Sequence, residues 1–410
     1  MKILFIATGF LPYLFSENLC NAKLVYALQK AGWDIDVISK PHELPSYGKG
    51  WSEPWLNLEP HTYEVSYKKG TTMVRFTDVI YSSFYMGVNY PIEGIRWARR
   101  AYKEALKKLK QNHYDAVMTR SPSDIAHIVG FKLKIKTGCK WIANWNDPSS
   151  TIWPEPYTYH FPKRKEAILH KLTAKWLQVA DINTFPGKPL YEHFCKHFPF
   201  LKEKHCEIIP HIALPKSLVP IIEARKGDAM TICHSGNLSK ERNPELTFQA
   251  LRQLIDDEEN VKIRLEIMGH VNDYTLGLIT KYNLENNVNF TGSFPYMESV
   301  KQLQKYDVLL LLEAILDRGI FFASKTTDYA LTGLPILAIS PPIGFAHDLI
   351  EEYGGGIAVN NTDVGSIKAG LLQLYRSWQN GTLEKQYNSD RIYALCSPKV
   401  VAEKYDELLK

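Results

Sequence analysis

No two cysteines in this chain are spaced C-x-x-C: Cys20, Cys139, Cys195, Cys206, Cys233 and Cys396 lie scattered through 410 residues. That spacing excludes a disulfide scaffold and a zinc ribbon, and it suits a reducing compartment. No run of about 20 apolar residues occurs, so no segment is expected to cross a membrane as a helix. Repeats of fixed period and low-complexity tracts are also missing. Met1–Ala7 is largely apolar, but no small-x-small cleavage site follows and Gly9 and Pro12 break the run. It reads as a buried first strand rather than a signal peptide, and a cytoplasmic protein is expected.

What is present is ordinary in amount and uneven in charge. Hydrophobic residues make up 45% of the chain and charged ones 23%, as in a folded globular protein. The length accommodates two domains of about 100–200 residues. Residues 1–215 hold 29 Lys+Arg against 19 Asp+Glu, whereas residues 216–410 hold 20 against 25. A basic front and a mildly acidic back imply different partners for the two halves.

Apolar runs alternate with helical spacing in both halves. Strands are expected at Lys2–Ala7, Ile35–Ile38, Asp115–Thr119 and Lys140–Asn146, and helices at Asn18–Ala31, Glu93–Lys110 and Asp124–Lys136. The stretch Pro41–Pro60 is polar, aromatic and proline-punctuated, and reads as irregular. The alternation restarts at Met230, with strands at Met230–His234, Ile263–Met268, Asn287–Thr291, Asp307–Leu312 and Pro335–Ile339. Such alternation is the signature of parallel sheets with crossover helices. The fold expected is α/β, with two doubly wound domains facing a central cleft. Domain one spans 1–212, domain two 213–391, and a helix near 392–410 returns to the first; His211–Asp228 is the linker. Ligands of such sheets sit at the carboxyl ends of strands, which directs attention to the loops there.

Two loops of the second half carry anion-binding chemistry. In Ser235-Gly236-Asn237-Leu238-Ser239-Lys240-Glu241-Arg242, the glycine lets a ligand approach the backbone and Arg242 can fork onto phosphate oxygens. In Gly319 to Pro335, Ser324 or Thr326 opens a helix that Gly333 closes. Lys325 in its first turn opposes the helix dipole, which an external anion would offset. Asp328, one turn on, can accept from ribose or sugar hydroxyls. Each loop alone also reads as a plain turn or N-cap with solvated charges.

Together these segments resemble the donor site of retaining nucleotide-sugar glycosyltransferases with two Rossmann domains, the GT-B class. The helix leading into Gly333-Leu334-Pro335-Ile336-Leu337-Ala338 is similar to the family-four pattern E-A-x-x-x-G-x-P-v-v-A, with Asp328 in place of the second glutamate of E-x7-E. Gly236 to Arg242 resembles G-R-L-x-x-E-K, with Asn237 in the arginine place and Arg242 in the lysine place. Met268-Gly269, Val288-Asn289-Phe290-Thr291-Gly292 and Asp307–Leu311 follow the family's order. The first glutamate is replaced: Ile320-Phe321-Phe322-Ala323 stands for E-G-F-G. Lys325 suits a branch written s-K-x-x-e-Y-l-a-x-G-x-P-i-l. By this resemblance, Gly236, Asn237, Arg242, Ser324, Lys325, Thr326 and Asp328 hold the donor, and the backbone of Gly292, Ser293 and Phe294 holds the base.

The first half matches more loosely. Thr8–Leu28 occupies the place of the family's glycine-rich acceptor loop, with Phe15-Ser16 instead of G-G, so Gly9, Phe10, Ser16 and Asn18 are acceptor-loop candidates. Ser121-Pro122-Ser123 and Trp141–Pro148 are similar to a branch motif w-i-a-d-f-R-D-P-w. Ser121 and Asp147 then face the acceptor, with Asp147 orienting or deprotonating its hydroxyl. An Asp-Pro turn is the plainer reading of that site.

No metal site is expected. Asp34-Ile35-Asp36 opens a strand, the histidines are dispersed, and no cofactor motif appears. Arg242, Lys325 and the helix N-terminus would instead meet the leaving diphosphate. A nicotinamide dehydrogenase is excluded, because neither domain's first loop carries G-x-G-x-x-G. Basic clusters at Arg96–Lys110 and Lys163–Lys175, with Trp153, Tyr157, Tyr159 and Phe161 nearby, suit peripheral docking on an anionic membrane; nucleic acid is not expected. The reading is a metal-independent hexosyltransferase for a nucleotide sugar and a saccharide or lipid-linked saccharide in cell-surface polysaccharide or glycolipid assembly. A non-catalytic sugar-nucleotide or glycan-binding protein is the alternative.

Overall fold

The computed structural model describes residues 1–12, 15–41, 51–67, 72–222 and 227–410, with backbone alone over 72–75. Parts of two sequence expectations, the irregular stretch Pro41–Pro60 and the linker, lie outside them. The chain divides into two compact units: Met1–Trp153, Thr158–His211 and Val401–Lys410 form one, and Pro154–Tyr157 with Ile212–Val400 the other.

Unit 1 is built on seven parallel strands: β1 (Lys2–Ala7), β2 (Asp34–Ser39), β3 (Thr62–Glu64), β4 (Ala116–Arg120), β5 (Trp141–Asn144), β6 (Ile182–Phe185) and β7 (Cys206–Ile208). Their order is β3-β2-β1-β4-β5-β6-β7. Ile3 to Ala7 and all of β4 and β5 are buried, which is what helices on both faces of a parallel sheet require. Asp34-Ile35-Asp36 does open a strand: Asp36 is buried in β2 and accepts from the Tyr114 hydroxyl. The last helix, Pro398–Leu409, is tied to this unit where Trp33 Nε1 donates to Asp406 at 2.8 Å and Lys140 Nζ to the Leu408 carbonyl at 2.8 Å.

Unit 2 repeats the plan with six parallel strands: β8 (Met230–Ser235), β9 (Ile263–Met268), β10 (Val288–Phe290), β11 (Val308–Leu312), β12 (Ile336–Ser340) and β13 (Gly356–Asn360), ordered β10-β9-β8-β11-β12-β13. Alternation along each strand divides its core. Val308, Leu310 and Leu312 join one hydrophobic cluster with Phe248 and Leu371, while Leu309 and Leu311 join another with Tyr329 and Ile350.

Both sheets therefore have a doubly wound order, reversing between β1 and β4 and between β8 and β11. The loops leaving each such pair run to opposite faces and open a crevice at the carboxyl ends. In unit 1 these are the segments after Ala7 and after Arg120; in unit 2, those after Ser235 and after Leu312.

Candidate functional site

In unit 2 the crevice is assembled from the end of β8, the end of β11 and the helix Lys325–Thr332. The Tyr329 hydroxyl joins all three. It accepts from the Ser235 amide at 2.9 Å and donates to the Leu310 carbonyl at 3.1 Å, wholly buried. His234, also wholly buried, has Nδ1 at 3.1 Å from the same carbonyl. Since a carbonyl only accepts, Nδ1 carries the proton and Nε2 is an acceptor. Lys325 Nζ lies 3.4 Å from that Nε2.

Gly236 makes room for this ammonium. Its φ is +121°, and a Cβ there would come within 2.9 Å of Lys325 Nζ. The cation is thus held over loop backbone, where a diphosphate can approach. Burial, then the Arg242 charge, push the Lys325 pKa down to about 7, and burial drives His234 well below its ordinary value. Two cations drawn close with a neutral imidazole behind them form a site that an anion would complete.

The remaining donor-loop residues surround this centre at different depths. Arg242 is exposed, its amide donates to Ser239 Oγ at 3.2 Å, and its guanidinium donates to the Tyr157 hydroxyl. Asn237 Oδ1 accepts from the His270 amide at 2.9 Å and so ties the loop after β8 to the loop after β9. Asp328 accepts from the Tyr296 hydroxyl at 2.7 Å. Thr326 is 2% exposed with Oγ1 unpartnered, and Ser324 begins the helix without a side-chain cap. Gly292, Ser293 and Phe294 follow β10 in a loop whose last two residues are exposed.

Residue 320, where the resemblance would put a carboxylate, is a buried isoleucine, 4% exposed. A buried carboxyl nevertheless lies nearby. Glu313 directly follows β11, is 8% exposed, and its Oε2 has no hydrogen-bond partner. That oxygen is 3.2 Å from where a Cβ on Gly319 would stand. Burial pushes the Glu313 pKa up to about 8, against the pull of Arg242. Glu313 also lines a cavity of about 220 Å³ with Lys240, Asn243, Thr247 and Asn361. Sequence reasoning passed over Glu313, although a lone acid ending the run Val-Leu-Leu-Leu-Leu was a visible signal. Tyr157, read from sequence among the aromatics beside a basic membrane-docking cluster, belongs instead to unit 2, where it meets Arg242; Tyr296 and the tautomer of His234 left no comparable mark.

In unit 1 the loop after β1 is held from within. Asn18 Nδ2 donates to the Phe10 carbonyl at 2.9 Å and Asn21 Nδ2 to the Gly9 carbonyl at 2.8 Å. Phe10 and Asn18 are 1% and 2% exposed, so these side chains shape the loop from within rather than standing open to an acceptor. Ser16 is exposed at the start of the Ser16–Lys30 helix. Ser121 is buried, its Oγ unpartnered.

Asp147 lies in the loop after β5, which is fixed from behind. Asp124 Oδ2 accepts from Ser149 Oγ at 2.9 Å and from the Ser150 amide at 3.1 Å. Its electrostatic neighbour is Glu17, a residue sequence reasoning did not single out. Burial, then the charge of Asp147, raise Glu17 to about 8, opposed by Arg120 and by Asn146, whose Nδ2 donates to Glu17 Oε2 at 3.1 Å. At neutral pH Glu17 is therefore mostly protonated. Arg120 is 4% exposed with its Nε unpartnered. Among the described residues, no group of three or more His, Cys, Asp or Glu side chains is placed to hold a metal ion.

Residues 220–391 match the family described as glycosyl transferases group 1. No curated protein matches the chain. Among solved structures, a sucrose-phosphate synthase from Thermosynechococcus elongatus is similar at TM-score 0.67 and 15% identity, covering 100% of this chain and 98% of its own. HepE of Anabaena, solved with UDP and glucose, is similar at TM-score 0.68 and 15% identity, over 100% and 99%. An S. aureus TarM variant, solved with fondaparinux, alpha-GlcNAc-glycerol and UDP, gives 0.63 and 12% over 100% of both chains. The fold is GT-B, two Rossmann-like units in one chain.

Proposed function

We propose, from the match of residues 220–391 to the glycosyl transferases group 1 family and from the GT-B fold, that this protein moves a hexose from a nucleotide-diphosphate sugar to an acceptor hydroxyl, with retention and without a metal ion. The observation that carries the reading is the Lys325–His234–Gly236 arrangement with Arg242 beside it: a compact cationic site under exposed loop backbone. Solved neighbours that hold UDP, and UDP with glucose, support a nucleoside diphosphate as its ligand.

Each side chain then has a task. Arg242 and Lys325 take the diphosphate and stabilise the charge that develops as it leaves. Binding the anion favours the ammonium form of Lys325, so the cation is fully formed when the leaving group needs it. Asp328, oriented by Tyr296, accepts from hydroxyls of the ribose or sugar, and the Gly292–Phe294 backbone receives the base. Glu313 supplies the carboxyl that residue 320 lacks; protonated at neutral pH, it can donate to a sugar oxygen as well as accept. In unit 1, Asp147 orients the acceptor hydroxyl or takes its proton, and Glu17 beside it, protonated at neutral pH, brings no second negative charge to that spot. A lipid-linked saccharide of cell-surface polysaccharide or glycolipid assembly is the acceptor class we favour, from the basic, aromatic character of unit 1.

A thermal-shift panel of UDP, GDP, CMP, ADP and NAD tests the reading, because a ligand of the native state must raise the melting temperature. One diphosphate should stabilise the wild type and lose most of that effect in Arg242→Ala and Lys325→Ala. No shift with any diphosphate at millimolar concentration would overturn the donor-site assignment. Nucleotide release from the matching sugar nucleotide, with acceptor, then separates an enzyme from a binding protein.

A further inference from the structure

One helix of unit 1 turns a greasy face outward. In Thr72–Met86 the side chains of Phe76, Ile80 and Phe84 stand at i, i+4 and i+8, on one face, and are 72%, 40% and 82% exposed. Ser82 and Met86, on another face, are buried, so the helix is packed and its apolar stripe is left over. Two phenylalanines this open on one helix are an unusual cost for a surface that meets only water.

Basic side chains border the stripe. Arg99 lies over the Tyr81 ring at 4.7 Å and Lys132 over Tyr85 at 5.5 Å, both rings belonging to the same helix. Just beyond its end, Arg164 donates to the Asn89 carbonyl at 3.1 Å. Among the described residues no carboxylate pairs with Arg99, Lys132, Arg164 or Lys175, and Lys132 and Lys175 repel one another. The adjoining helix Ile95–Gln111 exposes Arg100, Lys103, Lys107 and Lys110 along one face. Near Arg164, Tyr159 stacks on Phe161 with Lys165 Nζ 4.1 Å above the latter ring. An apolar stripe bordered by an excess of cations, Lys107 meeting Glu104 at 3.8 Å, with aromatic rings at the edge, is the chemistry of an interfacial helix on anionic lipid.

We propose that Thr72–Met86 lies in the surface of an anionic bilayer, with Phe76, Ile80 and Phe84 among the acyl chains and the neighbouring lysines and arginines on the headgroups. The contact deepens the proposed reaction by placing unit 1 where a lipid-linked acceptor resides, and it rests on that reading only for its purpose. Neither the apolar stripe nor the cations depend on what unit 2 binds.

The test is co-sedimentation of the full chain, without nucleotide, with pure phosphatidylcholine vesicles and with phosphatidylcholine vesicles containing phosphatidylglycerol. The wild type should bind the anionic vesicles at least about tenfold more strongly than the neutral ones and lose most of this in about 1 M salt. Phe76→Ser/Phe84→Ser should lower binding about tenfold or more with an unchanged melting temperature. Lys103→Glu/Lys107→Glu should abolish the preference for anionic lipid while leaving the apolar stripe intact. Equal binding of wild type and the serine variant, or no binding to anionic vesicles, would overturn the proposal. So would light scattering that shows a dimer dissociated by the serine variant, which would assign the stripe to a second copy of the chain. Because no donor is present, a failure here leaves the diphosphate panel untouched, and a failed panel leaves this result standing.

Discussion

Raising the pH from 7 to 9 should weaken binding of a nucleoside diphosphate to unit 2, and the decline should belong to Lys325. Burial and Arg242 hold this amine near 7, so at pH 8 about nine-tenths of it is neutral in the free protein. A bound diphosphate offsets both causes and returns the amine towards its ordinary value near 10.4. Binding at pH 8 should therefore take up about 0.9 proton, and affinity should fall about 50-fold between pH 7 and 9, roughly 2.3 kcal/mol. The ligand's own terminal phosphate, with a pKa near 6, is already ionised and adds little. Titration calorimetry at pH 8 in phosphate and in Tris, whose ionisation heats differ, measures the uptake directly. Glu313, raised to about 8, can also gain a proton beside an anion, so Glu313→Gln should remove a part and Lys325→Met the larger part. Heats that agree between buffers, together with an affinity flat from pH 7 to 9, would refute the reasoning.

Other expectations follow from single contacts. Tyr329→Phe removes the hydroxyl that serves the half-buried Ser235 amide and the buried Leu310 carbonyl and should cost about 1–3 kcal/mol in chemical denaturation, with weaker diphosphate binding; unchanged stability would remove Tyr329 as the brace of the crevice. Gly236→Ala forces a side chain onto a φ of +121° and against Lys325 Nζ, so diphosphate affinity should drop about tenfold or more in calorimetry. Glu17 and Glu313 both have folded pKa values raised from 4.5 to about 8. The stability they contribute is complete below about pH 4.5 and is lost as pH rises through 8. Glu17→Gln/Glu313→Gln should accordingly gain melting temperature relative to wild type between pH 5 and pH 9, and a constant difference would contradict the assignment.

Much of this architecture could be read from pattern alone. Val-Leu-Leu-Leu-Leu before Glu313 and Ile-Leu-Ala-Ile-Ser after Pro335 are apolar on both faces, as β11 and β12 must be. Gly236 and Lys325 were legible because a positive φ and a first-turn lysine are local features. Glu313 was not, since its meaning depends on the chain folding Gly319 back beside it. Glu17 likewise looks like an ordinary acid in a helix's first turn until β4 and β5 bring Arg120 and Asn146 to it. Thr72–Met86 escaped because its apolar residues fall on more than one face, which blurs the period that marks a helix. Phe10 and Asn18 were identified by position, but whether a side chain points at a ligand or into its own loop is settled only by packing.

Hydrogen exchange with and without the stabilising nucleoside diphosphate tests most directly whether unit 2 is the donor site. Protection should concentrate in peptides covering Ser235–Arg242, Gly292–Tyr296 and Ala323–Asp328, and should fade in Lys325→Met. Protection confined to unit 1, or none at saturating ligand, would contradict the donor site built on Arg242 and Lys325.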